Sequence, residues 1–230
     1  MKTIGLIGGM SWESSALYYR LINEETKKRL GGHHNAKSVM VTVDFDEVEH
    51  LQHAGEWTRL GQMLGDASRR LERAGADFIV LCTNTMHKLA DSITKEASIP
   101  LLHIVDATAE AIRRSGNRRV GLLATRFTME HDFYKERMRE KFGLDVLVPP
   151  PESRIVVHEV IYEELCHGVV RDESREKYLK IIADLGKDGA QSIILGCTEI
   201  ELLISGKDCE LPAYPSTSLH AAMAVDWTLA

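Results

Sequence analysis

The sequence has no excess of positive charge, which most nucleic-acid-binding proteins and proteins of anionic membrane surfaces carry. Its 28 Lys and Arg residues are outnumbered by 34 Asp and Glu residues, and the formal net charge is −6. It also has no apolar run long enough to span a bilayer, and the short run from Ile4 to Ile7 lacks the length and the cleavage site of a signal peptide. We therefore expect a cytoplasmic protein that binds neither nucleic acid nor membranes.

Cysteine is scarce, and its spacing indicates no structural framework. The cysteines are Cys82, Cys166, Cys197 and Cys209, and they form neither a disulfide pattern nor a C-x-x-C zinc motif. In a chain of this size they indicate free thiols in a reducing compartment. Cys166, in a helical pattern, and Cys209, in a polar loop, are interpreted as structural thiols without catalytic context.

Signatures of bound cofactors are missing as well. The glycine turn from Gly5 to Gly9 reads G-x-x-G-G, whereas a dinucleotide site requires G-x-G-x-x-G. His50 and His53 are close enough to share a helical face, but no zinc motif surrounds them, and they are interpreted as surface residues. The sequence therefore predicts no metal site and no nucleotide cofactor.

What the sequence does have is an ordinary globular composition, arranged as alternating strands and helices. Hydrophobic residues make up 44% of the chain and charged residues 27%. Short apolar runs predict strands at Thr3–Ile7, Val39–Asp44, Phe78–Leu81, Leu101–Val105, Arg119–Leu123, Asp145–Val148 and Ser192–Leu195. Amphipathic stretches predict helices at Ser14–Leu30, Trp57–Ala74, Ala107–Ser115, Glu130–Phe142, Ile155–His167 and Glu173–Leu185. Strands that are apolar on both faces are typical of parallel sheets covered by helices, so the predicted fold class is α/β.

The chain also repeats itself. The segment Gly75–Asn84 matches Gly189–Thr198, and the segment Ile4–Gly9 matches Val120–Thr125 at nearly the same distance along the chain. Matching elements in the same order indicate a duplicated α/β unit.

The duplication predicts two similar lobes. The first would comprise residues 1–104 with about 217–230, and the second residues 105–216. Each lobe is expected to be a mostly parallel sheet flanked by helices, and the two are expected to be related by a pseudo-twofold axis. Because sites in open α/β sheets lie at the carboxyl ends of strands, we expect the active site in a cleft between the lobes.

Polar and nucleophilic residues follow two of the matching strands. Cys197 and Thr198 come after Ser192–Leu195, and Asn84-Thr85 comes after Phe78–Leu81. Such strand ends can reach a ligand, and the N-terminus of a following helix favours thiolate over thiol. We therefore expect functional groups at both places and a lowered pKa for Cys197.

Three segments together resemble the aspartate/glutamate racemase superfamily. They are Gly8–Ser14, Asn84-Thr85-x-His87 and Gly196–Glu199, and the resemblance extends over the full chain. It implies a two-lobed enzyme, in many relatives a homodimer, that uses neither pyridoxal phosphate nor metal. Family members place one cysteine on each side of the substrate α-carbon, because racemisation removes a proton from one face and returns one to the other.

The resemblance also implies which residues contact the amino-acid substrate. Asn84, Thr85 and Thr198 would bind its α-carboxylate or amino group. Three weaker candidates are chosen instead for their positions at or after predicted strands: Met10, Gln52 and Thr125. Arg126 is considered for a distal carboxylate, although no arginine is placed unambiguously. His87 would either line the site or pack as a structural residue.

The sequence departs from the family pattern at one important position. Relatives read Cys-Asn-Thr in the first lobe, whereas here Thr83 precedes Asn84 and the cysteine stands one residue earlier, at Cys82. The repeat aligns Thr83, not Cys82, with Cys197. Because side chains alternate along a strand, Cys82 is expected to point away from the cleft. The two faces of the site should then be chemically unequal.

The predicted function is cofactor-independent racemisation of aspartate, glutamate or a related amino acid. Cys197 would be the principal base, and Thr83 would act on the opposite face. One alternative from the same superfamily is a one-cysteine decarboxylase, or a cis-trans isomerase, of a small dicarboxylic acid. Another alternative is a catalytically weak amino-acid-binding protein.

Overall fold

The computed structural model describes all 230 residues, which form two compact units. The first comprises Met1–Ile104 and His220–Ala230, and the second comprises Val105–Leu219. Eight strands are present: β1 (Ile4–Gly8), β2 (Ser38–Thr42), β3 (Phe78–Leu81), β4 (Leu101–Leu102), β5 (Arg119–Leu123), β6 (Asp145–Leu147), β7 (Ser192–Leu195) and β8 (Ala213–Pro215). The sheet of the first unit has the order β2-β1-β3-β4, and that of the second has the corresponding order β6-β5-β7-β8. Because every strand pair is parallel, the predicted class of two helix-flanked parallel sheets is confirmed.

Helices connect the strands. They are α1 (Trp12–Leu30), α2 (Phe45–His53), α3 (Trp57–Arg73), α4 (Ala90–Glu96), α5 (Ile104–Arg114), α6 (Arg126–Glu130), α7 (Asp132–Phe142), α8 (Pro151–Glu159), α9 (Asp172–Lys187), α10 (Ile200–Leu203) and α11 (Ser216–Leu229). A 3₁₀ turn at Thr85–Leu89 precedes α4. None of the helices combines the length and apolarity needed to cross a membrane.

The sheet of the first unit is apolar on both faces, as the sequence predicted. Ile79 and Leu81 of β3 join a core cluster with residues of α2, α3 and α4. Phe78 and Val80, which alternate with them, join a second cluster with residues of α1 and α11. Burying each such side chain stabilises the fold by about 1.5–3 kcal/mol, so the sheet is held from both sides.

Two of the expected elements differ from the structure. The predicted strand Leu101–Val105 contains only Leu101–Leu102, because this edge strand pairs with β3 over two residues and α5 begins at Ile104. The predicted helix Ile155–His167 instead starts as α8 at Pro151 and continues as a π-helical turn at Val160–Glu164. The apolar periodicity of this segment did not reveal the change of helical type.

Other elements were missed because they are short or carry few apolar residues. Strand β8 is three residues long and contains Pro215, which weakens a strand pattern. Helix α2 starts where Asp44 caps it, with the Asp44 carboxylate accepting from the Asp46 amide at 3.2 Å. The predicted helix Glu130–Phe142 begins at Asp132 in the structure, as α7. The short helix α6 before it was missed, and the backbone is extended at His131 between the two.

Candidate active site

The turn after β1 is held by its own motif residues. Gly9 has φ +96°, and a Cβ there would lie 2.1 Å from the Val43 carbonyl oxygen, so only glycine fits. The Gly9 amide donates to Ser15 Oγ at 2.8 Å, and this hydroxyl donates to the Ser11 carbonyl oxygen at 2.8 Å. The Gly-Gly-Met-Ser segment thus fixes the backbone at the carboxyl end of β1.

Met10, a weaker candidate for substrate contact, lies in this turn. Its side chain is buried and belongs to the core cluster that includes Val48 and Leu51 of α2. Its contact with substrate stays a prediction.

The turn after β3 separates Cys82 from Thr83. Cys82 is fully buried in the cluster that also holds Val80, because it continues the side-chain alternation of the strand. Burial raises the pKa of the Cys82 thiol far above its usual value. Thr83, the next residue, is partly exposed. The Cys82 thiol is thus a core group, whereas Thr83 is the partly exposed residue of the turn.

His87 fixes the backbone of this turn. Its Nε2 accepts from the Ile104 amide at 3.2 Å, so its Nδ1 carries the proton and donates to the Thr83 carbonyl oxygen at 2.7 Å. The imidazole is buried, and its ring centroid lies 4.6 Å from that of His103. Of the two roles left open for His87, the structure shows the packed one: it positions Thr83 from beneath.

Asn84 and Thr85 follow directly and are both buried at the start of the 3₁₀ turn. Strand β3 pairs with β1 up to Leu81 and Ile7, so the Thr83–Thr85 segment and the Gly9–Ser11 turn leave the sheet at the same edge. In the first unit, the candidate residues that follow β1 and β3 therefore lie at the same edge of the sheet.

Gln52 supplies a further polar group in the first unit. It lies on α2 and is only 4% exposed, yet its Nε2 has no hydrogen-bond partner. An unsatisfied buried donor costs about 1–3 kcal/mol, which a folded protein normally avoids. A buried amide without a partner is a group available to a ligand.

In the second unit, Gly196 allows the chain just before Cys197 to pack closely against β5. A Cβ on Gly196 would lie 2.9 Å from Leu122 Cδ1 and 3.1 Å from the Leu123 carbonyl oxygen. The Gly196 amide donates to this carbonyl at 2.7 Å. The backbone leading to Cys197 is thereby pinned to β5.

Cys197 and Thr198 share one hydrogen-bond acceptor. The Cys197 thiol donates to Glu199 Oε2 at 2.8 Å, and the Thr198 hydroxyl donates to the same oxygen at 2.7 Å. Cys197 and Thr198 are partly exposed, whereas Glu199 is buried. This carboxylate was named in the sequence only as part of a motif, and its position two residues after the cysteine was the signal for its contact with the thiol.

The expected lowering of the Cys197 pKa is wrong. Burial and the neighbouring charge of Glu199 instead raise the pKa of the Cys197 thiol well above its usual value. Helix α10, which was expected to favour the thiolate, is only four residues long. The resting group is therefore a thiol hydrogen-bonded to a carboxylate.

Thr125 lies at the same edge of the second sheet. Strands β5 and β7 pair up to Leu123 and Leu195, so Thr125 and Cys197 each follow the last paired residue by two positions. Thr125 is buried just before α6, with its hydroxyl 3.3 Å from that of Thr128. Arg126 is exposed at the first position of α6.

The histidines interpreted as surface residues are indeed exposed. His50 and His53 lie on α2, and His53 Nδ1 contacts the Glu49 carbonyl oxygen at 2.9 Å. The structure contains no group of three or more His, Cys, Asp or Glu residues that could hold a metal ion.

Comparisons with known proteins cover almost the whole chain. The family model described as Asp/Glu/Hydantoin racemase matches residues 7–224. A crystal structure of an Asp/Glu racemase candidate from Yersinia pestis is 49% identical with a TM-score of 0.94, and it covers 100% of both chains. An aspartate racemase homologue from Pyrococcus horikoshii OT3 is 32% identical with a TM-score of 0.87, again over 100% of both chains. The broad specificity amino-acid racemase RacX of Bacillus subtilis (strain 168) is 20% identical over 99% of this chain and 98% of its own.

Proposed function

Because this chain belongs to the Asp/Glu/Hydantoin racemase family, we propose that it racemises aspartate, glutamate or a related amino acid without a cofactor. The family match spans residues 7–224, so the resemblance inferred from the sequence segments is confirmed. The protein is an isomerase of the amino-acid racemase class. The substrate, the bases and the independence of cofactors belong to the proposal, as do a homodimer and a cytoplasmic location.

Cys197 is the principal base of the proposed reaction. Its thiolate takes the α-proton, so that the C–H bond breaks, the S–H bond forms and the electron pair remains on the α-carbon. That pair spreads into the substrate carboxylate, where hydrogen-bond donors stabilise it. The observation that carries this proposal is that Cys197, a partly exposed residue just after β7, hydrogen-bonds through its thiol to Glu199.

Thr83 acts on the opposite face of the α-carbon in this proposal. Its hydroxyl, or a water that it holds, delivers the proton that completes the inversion, and solvent restores the hydroxyl proton. Two observations support it over Cys82: the repeat aligns Thr83 with Cys197, and the Cys82 thiol is buried in the core. A hydroxyl is a far weaker acid than a thiol, so the two faces should exchange protons at different rates.

The hydrogen bonds divide the substrate-binding roles. The Thr198 hydroxyl donates to Glu199, and a hydroxyl oxygen can also accept a hydrogen bond, which suits the substrate ammonium. Gln52 offers a buried amide donor, which suits a carboxylate. Asn84 and Thr85 would bind the α-carboxylate, and Thr125 would contact the substrate from the end of β5. Arg126, exposed beside Thr125, is the candidate for a distal carboxylate.

The test is a screen of the common L- and D-amino acids for α-proton exchange in deuterated water, followed by proton NMR. We expect exchange with aspartate or glutamate, accompanied by appearance of the mirror-image enantiomer. Dialysed and chelator-treated protein should keep this activity and show no pyridoxal absorbance. Activity that depends on added pyridoxal phosphate or zinc would contradict the proposal.

A one-base decarboxylase is the second candidate function. It is favoured by a single observation, namely that Cys82 is buried and leaves Cys197 as the only thiol at a candidate strand end. Release of carbon dioxide from disubstituted malonates, without exchange of any amino-acid α-proton, would support it. Tight amino-acid binding in calorimetry without either reaction would instead indicate a binding protein.

A further inference from the structure

The contact between Cys197 and Glu199 poses a chemical problem for a base at this position. A thiol cannot abstract an α-proton; the thiolate is the reactive form. The surroundings of Cys197 nevertheless raise its pKa, chiefly through burial and then through the charge of Glu199. The resting enzyme therefore holds the protonated group, and its proton must leave before the sulfur can act as a base.

An acceptor for this proton already touches the sulfur. Glu199 Oε2 lies 2.8 Å from Cys197 Sγ and accepts its hydrogen bond. The Thr198 hydroxyl donates to the same oxygen at 2.7 Å, which holds that oxygen against the sulfur. The carboxyl group is only 9% exposed, so bulk water competes little for its position.

We propose that Glu199 is a catalytic residue that takes the proton from Cys197 Sγ whenever the sulfur reacts, as a base toward substrate or as a nucleophile. The S–H bond breaks, a bond forms between the proton and Glu199 Oε2, and the electron pair stays on sulfur as the thiolate. The thiolate then removes the substrate α-proton and becomes a thiol again, and Glu199 releases its proton to solvent, which balances the proton that solvent returns to Thr83. This role rests on the proposed function, because Cys197 is the reacting group there.

A carboxylate beside a thiol has a second physical role, and the two roles predict opposite results. If Glu199 only repels the negative charge of a thiolate, then removing its charge makes the thiolate easier to form and the enzyme equally active or faster. If Glu199 accepts the proton, then removing its basicity slows the reaction even though the thiolate is easier to form. Glu199→Gln separates these roles because the amide keeps the shape and hydrogen-bonding capacity but cannot accept the proton.

Other titratable groups near this pair have to be controlled. Cys166, after the π-helical turn, raises the pKa of Cys197 through its charge, and Tyr178 of α9 interacts electrostatically with Cys197. Glu201 of α10 interacts with Glu199, but its own Oε2 accepts from Ser218 Oγ at 3.2 Å. Glu201→Gln is therefore a matched control: it neutralises a carboxylate beside Glu199 that makes no hydrogen bond to the Cys197 thiol.

The first measurement is α-proton exchange by wild type, Glu199→Gln, Glu199→Asp and Glu201→Gln. We expect Glu199→Gln to lose about 10²–10⁴-fold in kcat with KM little changed, as for removal of a general base. Glu199→Asp should recover part of the loss because it keeps a carboxylate, and Glu201→Gln should change the rate little. A Glu199→Gln enzyme as fast as wild type, or faster, would overturn the proposal.

The second measurement needs no substrate. Alkylation of Cys197 by iodoacetamide is followed against pH by peptide mass spectrometry, which separates it from Cys166 and Cys209. At pH values below the titration of the thiol itself, we expect the alkylation rate of wild type to be independent of pH, because Glu199 accepts the thiol proton. Glu199→Gln should show no such plateau. The proposal would be overturned if the wild-type profile had no plateau and Glu199→Gln only shifted the whole profile to lower pH. If wild type exchanges no amino-acid α-proton, the proposed function fails, and the alkylation profile alone decides the role of Glu199.

Discussion

The turns after β3 and β7 come from matching segments of the chain but carry different chemistry. The segment Thr83–His87 corresponds to Cys197–Glu201, and the fourth residue of each, Met86 and Ile200, is buried in the same way. The other four positions differ: the second turn has a thiol, a hydroxyl and two carboxylates, whereas the first has two hydroxyls, an amide and an imidazole. The same backbone design thus supports two different sets of acid/base groups.

The difference begins with the displacement of one thiol by one residue. Cys82 continues the alternation of β3 into the core, where its thiol is buried. In the repeat, Cys197 lies one position further along the chain than Cys82. It is partly exposed, and its thiol donates a hydrogen bond to the Glu199 carboxylate. His87 is neutral and uses both ring nitrogens on backbone groups, so the first turn is fixed without charge. The position of each cysteine along the chain, in the core at Cys82 and in the turn at Cys197, therefore distinguishes the two thiols.

The largest effect should come from removing the reactive thiol. Cys197→Ser replaces a thiol with a hydroxyl of similar size, and we expect α-proton exchange to fall by about 10²–10⁴-fold or more, because general acid/base catalysis contributes that much. Proton NMR in deuterated water measures the loss, and circular dichroism checks that the fold is retained.

Cys82→Ala is the matched control for that experiment. Its thiol lies in the core, so the variant should lose about 1 kcal/mol of unfolding free energy but keep its exchange rate. Near-native activity of Cys197→Ser together with inactivation by Cys82→Ala would reverse the assignment of the two thiols.

The next effect concerns the carboxylates of the second turn. Burial, reinforced by the charge of Glu199, raises the pKa of Glu201 to about 7 from an ordinary 4.5, against a hydrogen bond from Ser218 that lowers it. The folded state then binds a proton that the unfolded state has lost between these values. Glu201 should therefore reduce the unfolding free energy by up to about 1.4 kcal/mol for each pH unit from 4.5 to 7.

Urea unfolding of wild type and Glu201→Gln across this pH range measures that term. The amide does not titrate, so the difference in stability between the variant and wild type should widen as the pH rises toward 7. A difference that stays constant with pH would show that Glu201 ionises as an ordinary exposed carboxyl group.

Thr83→Cys gives the first turn the group that the second already has. A thiol needs only a modest pKa change to act near neutral pH, whereas a hydroxyl cannot reach that range. Wild type should exchange the α-proton of one enantiomer much faster than that of the other, and the variant should accelerate the slow one by about tenfold or more, or about 1.4 kcal/mol of barrier. Both enantiomers must keep equal kcat/KM for racemisation, so the asymmetry is measured in solvent exchange. Equal exchange of both enantiomers by wild type would remove the case for Thr83.

The sequence was most informative where strands are buried on both faces. Phe78–Leu81, Arg119–Leu123 and Ser192–Leu195 were predicted with the bounds that the structure has, because continuous apolar runs between turn residues leave little choice. Strand β4 is shorter than predicted, and β8 was missed. Both are edge strands, whose length is set by pairing with a single neighbour.

The positions of the candidate residues at the strand ends could be predicted from the sequence, but their electrostatic surroundings could not. The period of two along β3 was enough to place Cys82 in the core. The raised pKa of Cys197 could not be predicted from the sequence in this way. It depends on the direction of the Glu199 side chain and on the short length of α10. Likewise, the absence of a partner for Gln52 is a property of packing and leaves no mark in the sequence.

The smallest effect should come from Gln52, which tests whether the first unit also binds substrate. Its buried amide nitrogen has no partner, so Gln52→Met should remove an unsatisfied donor and raise the unfolding free energy by about 1 kcal/mol. If the amide binds a substrate carboxylate in the ground state and the transition state alike, KM should rise while kcat changes little. Gln62→Met, at an exposed position of α3, is the matched control and should alter neither quantity. Substrate titrations combined with urea unfolding of the three proteins measure both terms. A stability gain without a rise in KM would show that the amide of Gln52 is a packing defect rather than a binding group.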